Sequence, residues 1–465
     1  MRRPILSWKS STVIPILLVF LVLWSAPAAA DESPQAGDET ADLMKQMREE
    51  IEALKEQVRS LGEQVEALKA SAPGPAAPPA QPAPQPSVPV SLPPLPPPPP
   101  SAAARMTRTS TVQNPAISAV FQAIGTNSIN HDREEDGFSL DEAELSFQAV
   151  VDPYARVDLF LTFTEEGAEV EEGFVTTTGL AGGLQVKGGR FKNAFGKWNT
   201  LHDHAFFTVE RPNALANFFG EESLTTDGVS LSWLVPGTGP VFVESISEIG
   251  STSNDVSFNG ESRDALAMEH LGSVFTLTDN ATLGVGLSAA FGRAGATQQV
   301  RDQIAAAGLA GVVEPSASLA SDVFGADVTY KWKPLQYNVY RSITFQAEAL
   351  LSKRRMETLS RFRDLDKGTI RSTGGYVYGE YQFAKRWRAA LRYDASQFPD
   401  DDTARERAIS AILRITPTEF QEFRIQFKHT GRNAAAAALA DDIDNDNEVF
   451  FEWVPVIGSH PAHKY

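Results

Sequence analysis

The chain has no cysteine among its 465 residues, which excludes disulfides, thiolate metal centres and lipid attachment through an N-terminal cysteine. Beyond its first 30 residues it has no long apolar run, so nothing downstream can cross a bilayer as a helix. Positive charge is also in deficit. The formal net charge is −18, and the acidic balance argues against nucleic acid as a partner. No G-x-S-x-G elbow or spaced Ser/His/Asp set is present, so neither an enzyme nor a cofactor is expected.

What is present starts with an export signal over residues 1–30. Arg2, Arg3 and Lys9 form the basic n-region, an apolar stretch runs from about Val13 to Leu23, and Ala28-Ala29-Ala30 precedes Asp31 as a cleavage site. Removing those three basic residues makes the mature chain more acidic still. Residues 31–71 carry a heptad repeat, with Met44, Ile51, Val58 and Val65 at a and Met47, Leu54, Leu61 and Leu68 at d. That spacing predicts an α-helical coiled coil of about 40 Å, or alternatively a lone amphipathic helix. Residues 72–110 are rich in proline up to Pro100. They read as a semi-rigid polyproline spacer or as an unstructured linker.

Residues 111–465 alternate. In 386–394, Arg386, Arg388, Ala390, Arg392 and Asp394 share one face of an extended strand, and Trp387, Ala389, Leu391 and Tyr393 share the other. An apolar face with aromatic rings near its ends suits a barrel wall between two lipid–water interfaces. Similar patterns recur, with Leu145 and Phe147 against Glu142 and Glu144, and with Phe423, Ile425 and Phe427 against Arg424 and Lys428. Sixteen antiparallel strands are predicted, at about 116–124, 138–150, 154–164, 169–177, 183–191, 226–235, 241–249, 265–276, 282–292, 322–332, 342–352, 374–383, 386–395, 405–414, 420–429 and 447–455. Even-numbered strands mostly end in tight turns such as Asp152-Pro153. Odd-numbered ones mostly lead into long polar segments near 125–137, 192–225, 293–321, 353–373 and 430–446. The expectation is an all-β transmembrane barrel of about 16 strands with both chain ends in the periplasm.

Three stretches carry a resemblance: Phe138-Ser139-Leu140-Asp141-Glu142-Ala143-Glu144-Leu145, Asp152-Pro153-Tyr154-Ala155, and Gly189-Arg190-Phe191-Lys192-Asn193-Ala194-Phe195-Gly196. Over roughly 340 residues the chain resembles bacterial outer-membrane porins, closest to the phosphate-selective porin O and P group. His202-Asp203-His204 and the ending His460-Pro461-Ala462-His463-Lys464-Tyr465 also resemble plugless barrels labelled zinc-regulated TonB-dependent receptors. The resemblance implies a passive channel for small hydrophilic or ionic solutes in the outer membrane of a Gram-negative-type cell. The alternatives are an uptake receptor of that TonB-dependent type, or a tether between outer membrane and cell wall. It implies contact with outer-membrane lipid, and leaves open a contact between the coil and peptidoglycan. The heptad pattern favours a homodimer and the porin likeness a homotrimer; the trimer is preferred.

In the porins that the chain resembles, the third external loop folds into the barrel, which makes 192–225 the candidate constriction. Expected pore-lining residues are Arg386, Arg388, Arg392, Arg424, Lys428, Arg190, Lys192, Glu142 and Glu144, the basic ones forming a stripe that sets selectivity. Trp387, Tyr393, Trp233 and Trp453 are the expected interface aromatics. His202 and His204 share a face if extended and are candidate metal ligands, with no third ligand apparent. Asp441 to Glu448 imitates calcium-loop spacing without its glycine. Gly188-Gly189 reads as a bulge.

Overall fold

A computed structural model describes residues 115–130, 136–252, 254–260, 264–440 and 442–458. The expected signal peptide, coiled coil, proline-rich linker and histidine-containing C-terminal tail lie outside these residues.

Sixteen strands form the wall: β1 (Ala116–Ser128), β2 (Gly137–Asp152), β3 (Ala155–Thr164), β4 (Gly167–Thr177), β5 (Leu184–Lys192), β6 (Thr225–Leu234), β7 (Val241–Ser251) and β8 (Ala265–Thr278). They continue as β9 (Ala281–Ala294), β10 (Leu319–Trp332), β11 (Ser342–Leu359), β12 (Leu365–Ala384), β13 (Trp387–Phe398), β14 (Asp401–Thr418), β15 (Gln421–Arg432) and β16 (Asn445–Gly458). Each pairs antiparallel with its sequence neighbours, and β16 pairs with β1, so the barrel is closed. Closure removes both sheet edges and satisfies the backbone within the wall.

The expected strand count is met, and the poorly alternating stretches near 241 and 265 are strands as expected. Several strands run longer than predicted. The polar segment 353–373 is mostly sheet, because β11 and β12 pair out to Leu359 and Leu365. Polar residues on both faces hid that extension from a periodicity argument. Pro455 does not end the last strand either, since it stands opposite Gln421 and pairing to β1 continues to Gly458.

The outward face is apolar. Ile249, Leu287, Leu391 and Ile409 are each at least half exposed, at 59%, 61%, 62% and 50%. So many large apolar side chains in one belt far exceed an ordinary surface patch on a water-soluble protein. Trp233, Trp387, Tyr393 and Trp453, the expected interface aromatics, all face outward and are exposed. Trp453 stacks on Phe423 with ring planes 5° apart.

The main core is inside the barrel. Phe195, Trp198, Leu201, Phe206, Leu215, Phe218 and Phe219, all from the segment between β5 and β6, pack with Val323, Leu350, Tyr376, Tyr378 and Ile412 of the wall. That segment contains the helix α1 (Asn213–Phe219). Two other connections hold short helices, α2 (Gln298–Ala306) and α3 (Ala434–Ala437).

Candidate functional site: the inserted loop and the lumen

The segment 193–224 leaves β5 and returns to β6 through a tied neck. Asn193 N–H donates to the Leu224 carbonyl at 2.9 Å. The Asn199 side chain donates to both the Asn193 and Leu224 carbonyls at 2.9 Å and accepts from Leu224 N–H at 2.8 Å. With its ends fixed, the loop crosses the lumen and meets the far wall.

Glu348 on β11 receives it there. Its carboxylate accepts the backbone N–H groups of Lys197 and Trp198 at 2.9 and 3.0 Å and the Tyr376 hydroxyl at 2.8 Å. Such charge-assisted bonds in a buried site are the stronger kind. Gly196 makes this approach possible. Its φ is +60°, and a Cβ there would lie 2.2 Å from Glu348 Oε2. Phe195 meets bare backbone at Gly325, and Phe218 does the same at Gly374.

The predicted basic stripe has a different role from the one expected. Arg392 is 1% exposed, bonds Asp394 at 2.8 Å and donates to the Glu210 carbonyl at 2.8 Å. Arg424 bonds Glu452 at 2.6 Å and the His204 carbonyl at 2.7 Å. Lys428 bonds Glu210 at 2.8 Å. Asn213 and Asn217 of α1 add bonds to Glu406 and Ser396 at 2.6 and 3.0 Å. These cations face inward as predicted, but they are neutralised and anchor the loop instead of lining open solvent. Arg388 faces inward near Glu380, at 3.8 Å. Arg414, which the alternation argument passed over, bridges Glu380 and Glu422 at 2.9 Å each.

Two predicted lining residues are misplaced. Arg386 sits with Lys385 in the turn between β12 and β13, exposed and outside either strand. Arg190 points outward, opposite Asp227 on β6, and bonds it at 2.9 Å. On β5 the alternation puts Leu184, Val186 and Arg190 outside, with Lys187 and Phe191 inside, so an aromatic takes the lumen side and an arginine the rim. Gly188-Gly189 is not a bulge in the ladder. Gly189 has φ +137°, and a Cβ there would come within 2.2 Å of the Gly173 carbonyl oxygen. The bulge is in β4, between the Phe160–Glu172 and Leu161–Val170 pairs.

That bulge matters because it brings Glu171 and Glu172 to the same region. His202 is buried there, with Nδ1 2.9 Å from Glu171 Oε2 and Nε2 3.0 Å from Glu172 Oε2. Its ring packs on Phe160, with centroids 4.7 Å apart. Burial alone would lower the His202 pKa. Glu171 and then Glu144 outweigh it and hold the imidazole well above its ordinary range. Lys192 is buried as well, 2.5 Å from Glu171. Glu142 and Glu144 on β2 face inward as predicted, at 7% and 1% exposure. They sit under the loop and do not border an open channel. His202 and His204 are not on an extended stretch, since Asp203–Ala205 forms a 3-10 turn. The two rings still lie near each other, 5.7 Å apart. Of the calcium-like stretch, Asp446 and Glu448 lie on β16. No three of its described residues converge on a metal-sized site.

Beside the insert is a cavity of about 760 Å³. Arg156, Lys187, Lys197 and Lys331 border it, as do Asp158, Glu172, Glu244 and Glu248. Arg156 pairs with Asp158 at 2.6 Å.

No family model matches the chain. It is 28% identical over 392 residues to an uncharacterized protein of Aquifex aeolicus (strain VF5), covering 78% of each. Among solved structures, it superposes on an anion-selective porin from Comamonas acidovorans with a TM-score of 0.47 at 9% identity, covering 74% of this chain and 99% of that one. OmpT of Vibrio cholerae gives 0.46 at 10%, with 75% and 99% covered. The channel DcaP of Acinetobacter baumannii gives 0.45 at 11%, with 74% and 97% covered. None of these is close enough in sequence or superposition to bring its function to this chain.

Proposed function

We propose that the protein is an outer-membrane diffusion channel of restricted bore for small hydrophilic or ionic solutes. The observation that carries this reading is the closed sixteen-strand wall, apolar outside, with a loop tied across a lumen that keeps a polar cavity beside it. An apolar exterior needs lipid around it. A lumen partly filled by a fixed insert selects by size, and charges of both signs along the remaining space predict weak ion selectivity. The wall and the N-terminal heptads together favour a homo-oligomer, with the trimer preferred.

Purified protein in a planar bilayer is expected to show small, stable steps and a reversal potential near zero in a salt gradient. Deleting residues 194–223 is expected to raise the step size several-fold. A silent bilayer with both proteins, each correctly folded, would refute the channel and leave the tether. Energy-dependent uptake in cells, with no passive steps, would favour the receptor.

A further inference from the structure

We propose that Glu142, Glu144 and His204 form a site for one divalent transition metal of the zinc type, which staples the inserted loop to β2. Glu142 and Glu144 are two apart on one strand and so share the inward face. His204 comes from the opposite partner, the loop. Its Nδ1 lies 3.8 Å from Glu144 Oε2 and 3.9 Å from Glu142 Oε1. These separations are too long for hydrogen bonds. They match the edges of a coordination shell, because ligands at about 2.0–2.2 Å from one ion stand roughly 3.3 Å apart or more.

A second observation supports the site. Glu142 Oε1 and Glu144 Oε1 are buried and accept no hydrogen bond. Two adjacent buried carboxylates that each keep an unpaired oxygen are costly, since buried polar atoms are as a rule hydrogen-bonded. One divalent cation would neutralise both charges and use the vacant oxygens. A donor set with an imidazole nitrogen and carboxylates suits zinc and its neighbours better than calcium or magnesium, which take oxygen ligands. His202 is the companion residue: it spans Glu144, Glu171 and Glu172 and orients the carboxylate that both histidines face. The predicted pairing of His202 with His204 on one ion is replaced by one histidine with two glutamates. The site stands whether or not the barrel conducts.

The test uses the full mature chain folded in detergent and stripped with EDTA. Titration with ZnCl₂, followed by calorimetry and by metal analysis after dialysis, is expected to give one tightly held ion per chain. Glu142→Gln, nearly isosteric, and His204→Ala are each expected to weaken binding at least tenfold. Replacing His460 and His463 by alanine should leave it unchanged. Heat-modifiable gel mobility verifies that each variant has folded. Absence of a tightly held ion in the folded wild type would overturn the proposal. So would binding that survives Glu142→Gln but is lost with the two tail histidines.

Discussion

At the scale of the residue, a few atoms decide whether the loop enters the barrel. Gly196 is the clearest case, since it combines a left-handed backbone with contact against Glu348. Alanine there costs about 1–2 kcal/mol from the backbone alone. Its methyl group must also displace the carboxylate that binds Lys197 N–H and Trp198 N–H. The barrel ladder itself is untouched, so Gly196→Ala should fold and insert normally yet show larger and noisier single-channel currents. Currents as small and quiet as wild type, from a folded variant, would mean that Glu348 does not hold the loop. Little of this was legible in the sequence. A glycine beside a phenylalanine gives no hint of a partner some 150 positions away, because hydrogen-bond partners across a lumen follow from closure and not from local pattern.

At the scale of the element, the period-two pattern was an accurate guide where both faces differ. It gave the outward facing of Trp233, Trp387, Tyr393 and Trp453 and the inward facing of Arg392, Arg424 and Lys428. The lining assignment failed for Arg190 near a rim and for Arg386 in a turn, where the outer face no longer meets an apolar medium and charge stops reporting direction. The loop held a signal that its charges obscured. Phe195, Trp198, Phe206, Phe207, Phe218 and Phe219 are too many rings for an external loop, and burying each contributes about 1.5–3 kcal/mol. The strand β6 offers a direct test of facing, helped by the cysteine-free background. Ser232 borders the cavity and Trp233 faces outward. In the bilayer, Ser232→Cys should react with a charged, membrane-impermeant thiol reagent and lose current, while Trp233→Cys should keep its current. Equal responses at the two positions would contradict the assigned lumen.

At the scale of the molecule, closure places the beginning and end of the wall side by side, with Ser118 opposite Gly458. The barrel therefore needs no further segment to complete its sheet, and its interior is partly filled by its own loop. The role expected of the preceding heptads is association, and here two physical rules conflict. β-Branched residues at a with leucine at d favour two strands, whereas a wall that shares its apolar face with neighbouring copies is free to close on a threefold axis. Removing residues 31–110 from the mature protein separates these influences. If the wall drives assembly, the truncated chain keeps its oligomer mass in detergent and its step size in the bilayer. If the heptads drive it, the truncated chain falls to monomer mass while each barrel conducts as before. We expect the first outcome, with lowered thermal resistance of the oligomer, because a wall of sixteen strands offers far more apolar contact than four heptads. Loss of conductance on truncation would contradict both, since it would make the coil part of the conducting unit.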